Sequence, residues 1–422
     1  MIIRVSRTGP VEAVFEAPPS KSYTHRALIA GALAEGETRI TNPLGAVDTE
    51  LTAGGLEALR VPVEWRPGEV LVIGCGGTFR TGGEVTIDCG NSGTTLRLLA
   101  SVALLAPHPV VLTGSSRMLE RPVGPLARAL AGLGGEVIFP GRSGYPPVRV
   151  SGRLHGGRVE IDGSVSSQFV SSILMAAPCA EEDVEVTLPA PPASRSYLDL
   201  TLDVMREFGA RFERRGYEWF RVESGVPYRG RNYRIEGDFS SASYLFAIAA
   251  ICGGRVTVRG LNPASVQGDR RFLDALVSMG CRVASSDDAV TVERTGDLEG
   301  IEIDMSSSPD TVQTLAAVAA VAGSPTTITG TAHLRYKESD RVAVTAETLR
   351  RMGAGVEVTA DSIRINPAPL HGVAVDPHDD HRTAMAFAVL GLAVGGMVIR
   401  DPGCVEKSFP GFWEALYGEG LL

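Results

Sequence analysis

The chain has 422 residues, of which 44% are hydrophobic and 21% charged, and its formal net charge is −9. This length exceeds what one ordinary hydrophobic core supports, so the sequence predicts two domains. The acidic balance argues against nucleic acid as a partner, because binding a phosphate backbone needs a broad basic face. A small anionic substrate is not excluded, since it senses only the charges that line its own cleft.

The six cysteines are scattered and include no C-x-x-C pair. In a chain of this size, that pattern indicates reduced thiols and a cytoplasmic location rather than a disulfide framework or a zinc site. We expect no signal peptide, because MIIRVSRTGP lacks an apolar core. The uncharged stretch from Thr383 to Ile399 approaches the length of a membrane span, but Gly395 and Gly396 interrupt it. We therefore expect a buried helix that turns into a strand.

One pattern recurs six times along the chain. A cluster of small or polar residues opens a helix rich in alanine and leucine, a short β-branched strand follows, and a second amphipathic helix leads into further strands. Several of these second helices end at a glycine, which suits a helix C-terminus. The sequence therefore predicts six repeats of a β-α-β-α-β-β unit. The openings start at Pro18, Asp88, Asp162, Glu236, Asp304 and Asp376.

The two ends of the chain complement each other in this pattern. The sixth repeat stops at its second helix, whereas two spare strands, IIRVSR and EAVFEAP, precede the first repeat. We therefore expect the N-terminal strands to complete the last repeat, which makes the C-terminal domain discontinuous. The predicted domains are residues 1–18 with 237–422, and residues 19–236, with three repeats in each.

The openings of the first helix in each repeat have two interpretations. Serine, threonine, asparagine and aspartate are ordinary N-caps, which satisfy free backbone N–H groups. However, cations also lie inside or beside the openings, where a positive charge opposes the helix dipole. An anion held by N–H groups, hydroxyls and basic side chains would explain this combination. The cations are Lys21, Arg26, Arg97 and Arg382.

Two further segments concentrate charge. TGSSRMLERP contains Arg117 and Arg121, and HLRYKESDR contains Lys337, Glu338 and Arg341. A surface loop with salt bridges would explain the second segment. Lysine beside glutamate in an anion-binding cleft is also a means of tuning a proton donor or acceptor.

Metal and nucleotide sites are not indicated. The pair His378 and His381 has no third ligand at a suitable spacing, so we predict no metal site. No phosphate-binding glycine motif of the nucleotide-binding kind is present, so we predict no nucleotide cofactor.

Taken in chain order, these segments resemble the signature series of 5-enolpyruvylshikimate-3-phosphate synthases. The matching strings are PPSKS-x-x-x-R, D-x-GNSGTTLR, R-M-x-ERP, DGSVSSQF, EGDFSSASY, the Pro-Asp of SSSPDT, K-E-x-D-R, DHR-x-AM and K-[ST]-FP. Each string is weak alone, but nine of them in the right order are specific. The resemblance implies the α/β (α+β) fold class, a two-domain inside-out α/β barrel with the active site between the domains. It also implies transfer of the enolpyruvyl group of phosphoenolpyruvate to the 5-hydroxyl of shikimate 3-phosphate.

The resemblance further implies roles for individual residues. Asp310 would accept the proton of the shikimate hydroxyl, Glu338 would exchange protons with the phosphoenolpyruvate methylene, and Lys21 would be a third catalytic residue. No metal or organic cofactor is implied, and we expect a monomer that binds neither nucleic acid nor membrane. Shikimate 3-phosphate would contact Lys21, Ser22, Arg26, Ser166, Ser167, Gln168, Ser194, Tyr197, Asp310, His333 and Lys337. Phosphoenolpyruvate would contact Lys21, Asn91, Gly93, Arg117, Gln168, Arg341, Arg382 and Lys407.

The chain departs from the family pattern at two places. His333 stands where asparagine is usual, and NSGTT replaces the usual N-A-G-T-A, with Gly93 retained. The family's inhibitor glyphosate needs room at that glycine, so the resemblance implies competitive inhibition against phosphoenolpyruvate. Ser92 and Thr95 are the residues expected to modify that sensitivity.

Two alternatives to this family and activity remain open. The UDP-N-acetylglucosamine enolpyruvyl transferases share the fold and the donor, but they typically have Lys-Asn where this chain has Lys21 and Ser22. They also have a cysteine in the mobile loop, and TGSSRMLERP has none. A non-catalytic protein on a decayed enzyme fold is the other alternative, against which the presence of Asp310 and Glu338 argues.

Overall fold

The computed structural model describes residues 2–422. The chain divides into two compact units. The insert unit is the continuous segment Pro19–Ile235, and the split unit combines Met1–Pro18 with Glu236–Leu422. Each unit has a hydrophobic core of its own.

Helices and strands alternate along the whole chain. The α-helices of the insert unit are α1 (Lys21–Leu33), α2 (Val47–Ala58), α3 (Gly93–Val102), α4 (Gly124–Gly132), α5 (Gln168–Ala176) and α6 (Ser196–Glu207). Those of the split unit are α7 (Phe239–Cys252), α8 (Arg271–Ser278), α9 (Val312–Ala319), α10 (Arg341–Met352), α11 (His381–Val394) and α12 (Phe412–Gly418).

The strands are short, from two to six residues. The first two, which belong to the split unit, are β1 (Ile2–Val5) and β2 (Val11–Glu16). The insert unit contains β3 (Glu37–Thr41), β4 (Val63–Arg66), β5 (Glu69–Ile73), β6 (Val85–Asp88), β7 (Val110–Thr113), β8 (Gly135–Ile138), β9 (Val148–Gly152), β10 (Gly157–Glu160), β11 (Val184–Thr187), β12 (Phe212–Arg215), β13 (Trp219–Val222) and β14 (Asn232–Arg234). The rest of the split unit contains β15 (Gly254–Arg259), β16 (Cys281–Ser285), β17 (Ala289–Arg294), β18 (Glu302–Asp304), β19 (Thr326–Thr329), β20 (Gly355–Val358), β21 (Ser362–Asn366), β22 (Ala374–Val375) and β23 (Met397–Arg400).

Every sheet repeats one pattern, a parallel pair of strands extended by antiparallel strands. In the insert unit the strand orders are β14-β3-β5-β4, β6-β7-β9-β8 and β10-β11-β13-β12. In the split unit they are β2-β15-β17-β16, β18-β19-β21-β20 and the three-stranded β22-β23-β1. Within a repeat such as β6-α3-β7, the helix is the crossover that a parallel pair requires. The six predicted repeats, three in each unit, are confirmed.

The N-terminal strands are shared between two repeats. Strand β1 pairs antiparallel with β23 and completes the last sheet, as expected. Strand β2 instead pairs in parallel with β15 in the fourth repeat, so the expectation that both strands complete the last repeat was wrong for β2. The reason is that β14, which precedes α7 in the chain, pairs with β3 in the insert unit. The fourth repeat therefore takes its first strand from the N-terminus.

The first helix of each repeat is buried inside its unit. In α7 every residue from Phe239 to Ile251 is buried, and in α11 every residue from His381 to Leu392. A helix that is apolar on all sides requires such an environment. The strands alternate, as in β11, where Val184 and Val186 are buried and Thr187 is exposed. The helices thus lie inside and the sheets outside, which is the predicted inside-out arrangement.

The segment from Thr383 to Ile399 is a buried helix followed by a strand, as predicted. Helix α11 ends at Val394, Gly395 and Gly396 adopt positive φ angles of 78° and 68°, and β23 begins at Met397. Across residues 2–422, no helix combines the length and apolar character needed to cross a membrane.

The pairing of β1 with β23 predicts a contribution of the N-terminus to stability. Val5 is 1% exposed and packs beside Gly391 of α11, whereas Ile2 on the same strand is 48% exposed. We expect Val5→Ala to destabilise the split unit by about 2 kcal/mol, since it removes buried methyl groups. Ile2→Ala is the matched control and should change the unfolding midpoint little. Equal midpoints for the two variants in chemical denaturation would contradict this packing.

Candidate active site

The split unit gathers acidic side chains around Arg341, the first residue of α10. Arg341 is 1% exposed. Its guanidinium donates from Nη1 to Asp310 Oδ1 at 2.9 Å and from Nη2 to Glu338 Oε2 at 2.6 Å. A third bond runs from Nε to Asp380 Oδ2 at 2.8 Å. A buried cation requires such pairing, because an uncompensated charge in the interior is costly.

Arg382, in the first turn of α11, is the second cation of this network. Its Nη2 donates to Asp310 Oδ2 at 2.8 Å and its Nη1 to the backbone oxygen of Asp310 at 3.0 Å. Nη1 also donates to the hydroxyl of Ser240, at the start of α7, at 2.5 Å. Each carboxylate oxygen of Asp310 is therefore held by a different arginine, which fixes the orientation of the carboxylate. The structure brings together Asp310, Glu338, Arg341 and Arg382, which the sequence placed in three separate motifs.

The charge of this network controls the proton affinity of Asp310. Burial alone would raise the pKa of the carboxyl group. The charges of Arg382, Lys337 and Arg341 outweigh burial and hold the pKa of Asp310 well below its usual range. Asp310 is therefore ionised at neutral pH. An anion that competed for these cations would raise its proton affinity.

The 3-10 helix Ala332–Tyr336 presents His333 just before Lys337 and Glu338. His333 is 6% exposed and Glu338 9%. Burial, together with the charge of Lys337, lowers the pKa of His333 to about 3, so its imidazole is neutral at neutral pH. A neutral side chain thus occupies the position where the resembling family usually has asparagine. Lys407, which is buried, ends another 3-10 helix, Pro402–Lys407.

In the insert unit, the start of α1 carries three of the predicted residues. Lys21 forms an ion pair with Asp48 of α2 at 3.0 Å. Arg26 is 1% exposed, and its guanidinium donates to Thr201 Oγ1 at 2.8 Å and to the backbone oxygen of Ser22 at 3.0 Å. Burial lowers the pKa of Arg26 to about 10, which leaves it protonated at neutral pH. Arg26 thereby joins α1 to α6, which contains Tyr197.

The start of α5 is oriented by Arg97 of α3. Nη1 of Arg97 donates to Gln168 Oε1 at 2.9 Å and to Ser166 Oγ at 3.2 Å. The side-chain nitrogen Nε2 of Gln168 donates to Thr94 Oγ1 at 2.8 Å. Two predicted substrate-binding residues are thus positioned by α3. Beyond them, Ser167 is 1% exposed, and Ser194 is buried with a left-handed φ of 57°.

The turn from Asn91 to Gly93 opens α3 and packs against Arg121. Nη1 of Arg121 donates to the backbone oxygen of Asn91 at 3.0 Å. A Cβ atom at Gly93 would lie 2.4 Å from Nη2 of Arg121, so a side chain there would displace this guanidinium. Arg117 lies nearer the surface, where it pairs with Glu120 at 2.9 Å.

N-capping explains only some of the helix openings. The side chains of Ser92, Asp238 and Asp380 accept backbone N–H groups of α3, α7 and α11. Ser20 and Ser167 precede α1 and α5 without making a side-chain cap to any described residue. At α5 the neighbouring Ser166 accepts the backbone N–H of Gln168 at 3.2 Å instead. Capping therefore leaves the hydroxyl of Ser20 unexplained, and Lys21 beside it favours the anion-binding interpretation at α1.

Several residues of the site were not among the predicted ones. Arg97 and Arg121 lie in segments whose cations the sequence did single out. Asp48 and Thr201 belong to no motif, and only the folded chain shows their contacts with Lys21 and Arg26. Within residues 2–422, no group of three His, Cys, Asp or Glu side chains is arranged to hold a metal ion.

The neutrality of His333 predicts an acid-dependent loss of stability. Its folded pKa is about 3 against an ordinary value of 6.5, so between these values the unfolded chain binds a proton that the folded chain does not. The destabilisation is absent above pH 6.5, grows as the pH falls, and reaches about 2 kcal/mol at pH 5. Unfolding of His333→Asn should therefore be less sensitive to pH between 7.5 and 5. The surface variant His108→Asn is the control, and equal pH dependence of the two variants would contradict the expectation.

Comparison with known proteins shows the family of the chain. The family model of EPSP synthase (3-phosphoshikimate 1-carboxyvinyltransferase) matches residues 5–416. The 3-phosphoshikimate 1-carboxyvinyltransferase of Methanoculleus marisnigri is 81% identical over 422 residues, which are 100% of both chains. That of Methanoregula boonei is 57% identical over 416 residues, 99% of each chain. The solved EPSP synthase of Acinetobacter baumannii has a TM-score of 0.81 at 29% identity, covering 100% of this chain and 98% of its own. The chain belongs to the EPSP synthase family.

Proposed function

We propose that the network around Arg341 and Arg382 and the polar residues of the insert unit described above transfer the enolpyruvyl group of phosphoenolpyruvate to the 5-hydroxyl of shikimate 3-phosphate. The products are 5-enolpyruvylshikimate 3-phosphate and phosphate, on the route to aromatic amino acids. The observation that carries the proposal is Asp310 held between Arg341 and Arg382, with Glu338 on the same Arg341. Three acids and two cations share one network, and the reaction needs groups that take and give protons beside two anionic substrates.

In the addition step, the 5-hydroxyl oxygen attacks C2 of phosphoenolpyruvate while C3 receives a proton. Asp310 accepts the hydroxyl proton and Glu338 donates the proton to C3, which gives a tetrahedral ketal phosphate. The carboxylate and phosphate of phosphoenolpyruvate compete with both acids for Arg341 and Arg382. This competition raises the proton affinity of Asp310 when substrate is bound.

In the elimination step, the C2–O bond to phosphate breaks and phosphate leaves with the electron pair. Glu338 takes a proton from C3, and the electrons of that C–H bond restore the double bond. Lys21, Arg117 and Lys407 stabilise the charge that develops on the departing phosphate. Asp310 passes the proton of the 5-hydroxyl to the departing phosphate, which returns both acids to their starting states. The steps need no external oxidant or reductant, and so no metal or organic cofactor.

The insert unit holds shikimate 3-phosphate in this proposal. Ser166, Ser167 and Ser194 bind its phosphate, and Gln168 and Tyr197 lie beside the ring. Support comes from Arg97, which presents Ser166 and Gln168 together. The remaining contacts of this substrate are with Lys21, Ser22, Arg26, Asp310, His333 and Lys337.

The phosphoenolpyruvate contacts complete the site. They are Lys21, Asn91, Gly93, Arg117, Gln168, Arg341, Arg382 and Lys407. We propose that residues 19–236 and residues 1–18 with 237–422 act as two domains on the same pair of substrates. The reason is that the serines for the shikimate phosphate lie in one unit and the catalytic acids in the other. Both sets come from one chain, so the proposed site needs no second subunit. The monomeric state and the cytoplasmic location stay predictions from the sequence.

Phosphate release tests the proposed reaction. Purified protein given phosphoenolpyruvate and shikimate 3-phosphate should release phosphate, and with UDP-N-acetylglucosamine as the acceptor it should not. Asp310→Asn should lower kcat about 100-fold or more, because the hydroxyl loses its proton acceptor. Release with the sugar nucleotide alone would place the chain in the sister family. No release with either acceptor would favour a protein that binds without catalysis.

Arg117 tests the binding of phosphoenolpyruvate separately from folding. Arg117→Ala should raise KM for phosphoenolpyruvate about 10-fold to 100-fold, since it removes one charge-assisted contact of about 1.5–3 kcal/mol. Glu120→Gln breaks the same surface ion pair but keeps the cation, so its KM should stay near that of the unmodified chain. An equal rise in KM for both variants would mean that the ion pair, not the cation, matters.

A further inference from the structure

A line of buried side chains connects α1, α2 and α3 of the insert unit. Nδ1 of His25 lies 2.7 Å from Thr52 Oγ1, which lies 2.7 Å from Thr95 Oγ1. Thr95 Oγ1 lies 2.8 Å from Ser92 Oγ and 3.2 Å from the backbone oxygen of Asp48. His25, Thr52, Thr95 and Ser92 are each 0% exposed. Water therefore does not replace these bonds, and each of these polar groups depends on the next.

Each hydroxyl group has one proton to donate, and this decides which atom is the donor in every hydrogen bond of the line. A carbonyl oxygen only accepts, so the single hydroxyl proton of Thr95 goes to Asp48. Thr95 then accepts from both Thr52 and Ser92, which uses its two lone pairs. Since the proton of Thr52 is donated to Thr95, Thr52 must accept from His25, whose proton is on Nδ1.

The state of His25 agrees with this direction. Burial, with the charges of Lys21 and Arg26, holds the pKa of His25 well below its usual value, so the ring is neutral. A neutral ring with its proton on Nδ1 has a bare Nε2. Nε2 of His25 is buried and has no hydrogen-bond partner among residues 2–422. An acceptor without a donor is consistent with that tautomer, whereas an N–H group there would be an unsatisfied donor.

The two ends of the line contact groups assigned above to phosphoenolpyruvate binding, namely the turn from Asn91 to Gly93 and Lys21. Ser92 lies between Asn91 and Gly93 in the turn that opens α3, and it also accepts the N–H of Thr95. Asp48, whose backbone receives the last proton, pairs through its carboxylate with Lys21. We propose that His25, Thr52, Thr95 and Ser92 are positioning residues, which set the turn from Asn91 to Gly93 relative to Lys21 for binding phosphoenolpyruvate. This inference rests on the proposed function of that turn.

The sequence supports a role beyond ordinary core packing. Two members of the line, Ser92 and Thr95, belong to the string NSGTT, which opens α3. Alanine at both positions would need no partner for a hydroxyl group. Serine and threonine there need partners, and Thr52 and His25 supply them from two other helices. The turn in this chain is thus held by directional bonds.

Kinetics of Thr95 variants test the proposal. Thr95→Val keeps the volume but removes the hydroxyl at the centre of the line. We expect KM for phosphoenolpyruvate to rise about tenfold, while kcat and KM for shikimate 3-phosphate stay within about twofold. Thr95→Ser restores the hydroxyl and should restore KM. Thr52→Val cuts the line farther from the turn and should raise the same KM about threefold, which keeps the test available if Thr95→Val does not fold.

The matched control lies on the same helix. Ser101 of α3 forms a buried hydroxyl pair with Ser172 at 2.6 Å, away from the turn. Ser101→Ala should lower the melting temperature without raising KM for phosphoenolpyruvate. A similar KM in Thr95→Val and Ser101→Ala would overturn the inference, as would equal rises in KM for both substrates. If Arg117→Ala raises KM and neither Thr95→Val nor Thr52→Val does, the positioning role is wrong while the assigned site stands. If none of the three raises KM, the assigned site itself is wrong.

Discussion

The burial of Arg341 is the constraint on which the split unit depends. A guanidinium that is 1% exposed must be neutralised, and the carboxylates that do so come from three places in the chain. Asp310 precedes α9, Glu338 precedes α10, and Asp380 caps α11. Removing one partner of such a buried pair costs about 3–5 kcal/mol, because it leaves an uncompensated charge. The ion pairs therefore hold three helix starts together, and the same contacts orient the two proposed proton-transfer groups.

The insert unit positions its cations by different means. Arg26 and Arg97 donate to hydroxyl, amide and backbone oxygens, and Arg121 donates to the backbone of Asn91. Arg341, by contrast, donates to three carboxylates. The split unit is thus suited to proton transfer that an anion can switch on, and the insert unit to holding anions.

One repeat serves both units because its geometry is independent of its chemistry. The first helix of each repeat is buried, and four of the six connect the two parallel strands of one sheet. The residues at that start are free to vary as long as the backbone N–H groups and any buried side chains are satisfied. The opening of α11 uses this freedom for an ion pair through Asp380, and that of α3 for hydroxyl groups through Ser92. The line from His25 to Ser92 contains the hydrogen bonds that satisfy the hydroxyl groups at the opening of α3.

The sequence by itself determined the repeats, the fold class and the candidate residues. Apolar helices, β-branched strands and glycine helix ends are local patterns, and local patterns decide secondary structure; Gly280 and Gly353, for example, adopt the positive φ angles expected after α8 and α10. Motifs such as K-E-x-D-R and DHR named Glu338, Arg341 and Arg382 without their geometry. Only the tertiary structure decided that β2 pairs with β15, because strand pairing depends on which edge is left open. It also decided which oxygens each arginine reaches, and that His25, Thr52, Thr95 and Ser92 form one line. Contacts between residues so far apart in the chain arise from packing, and no local pattern encodes them.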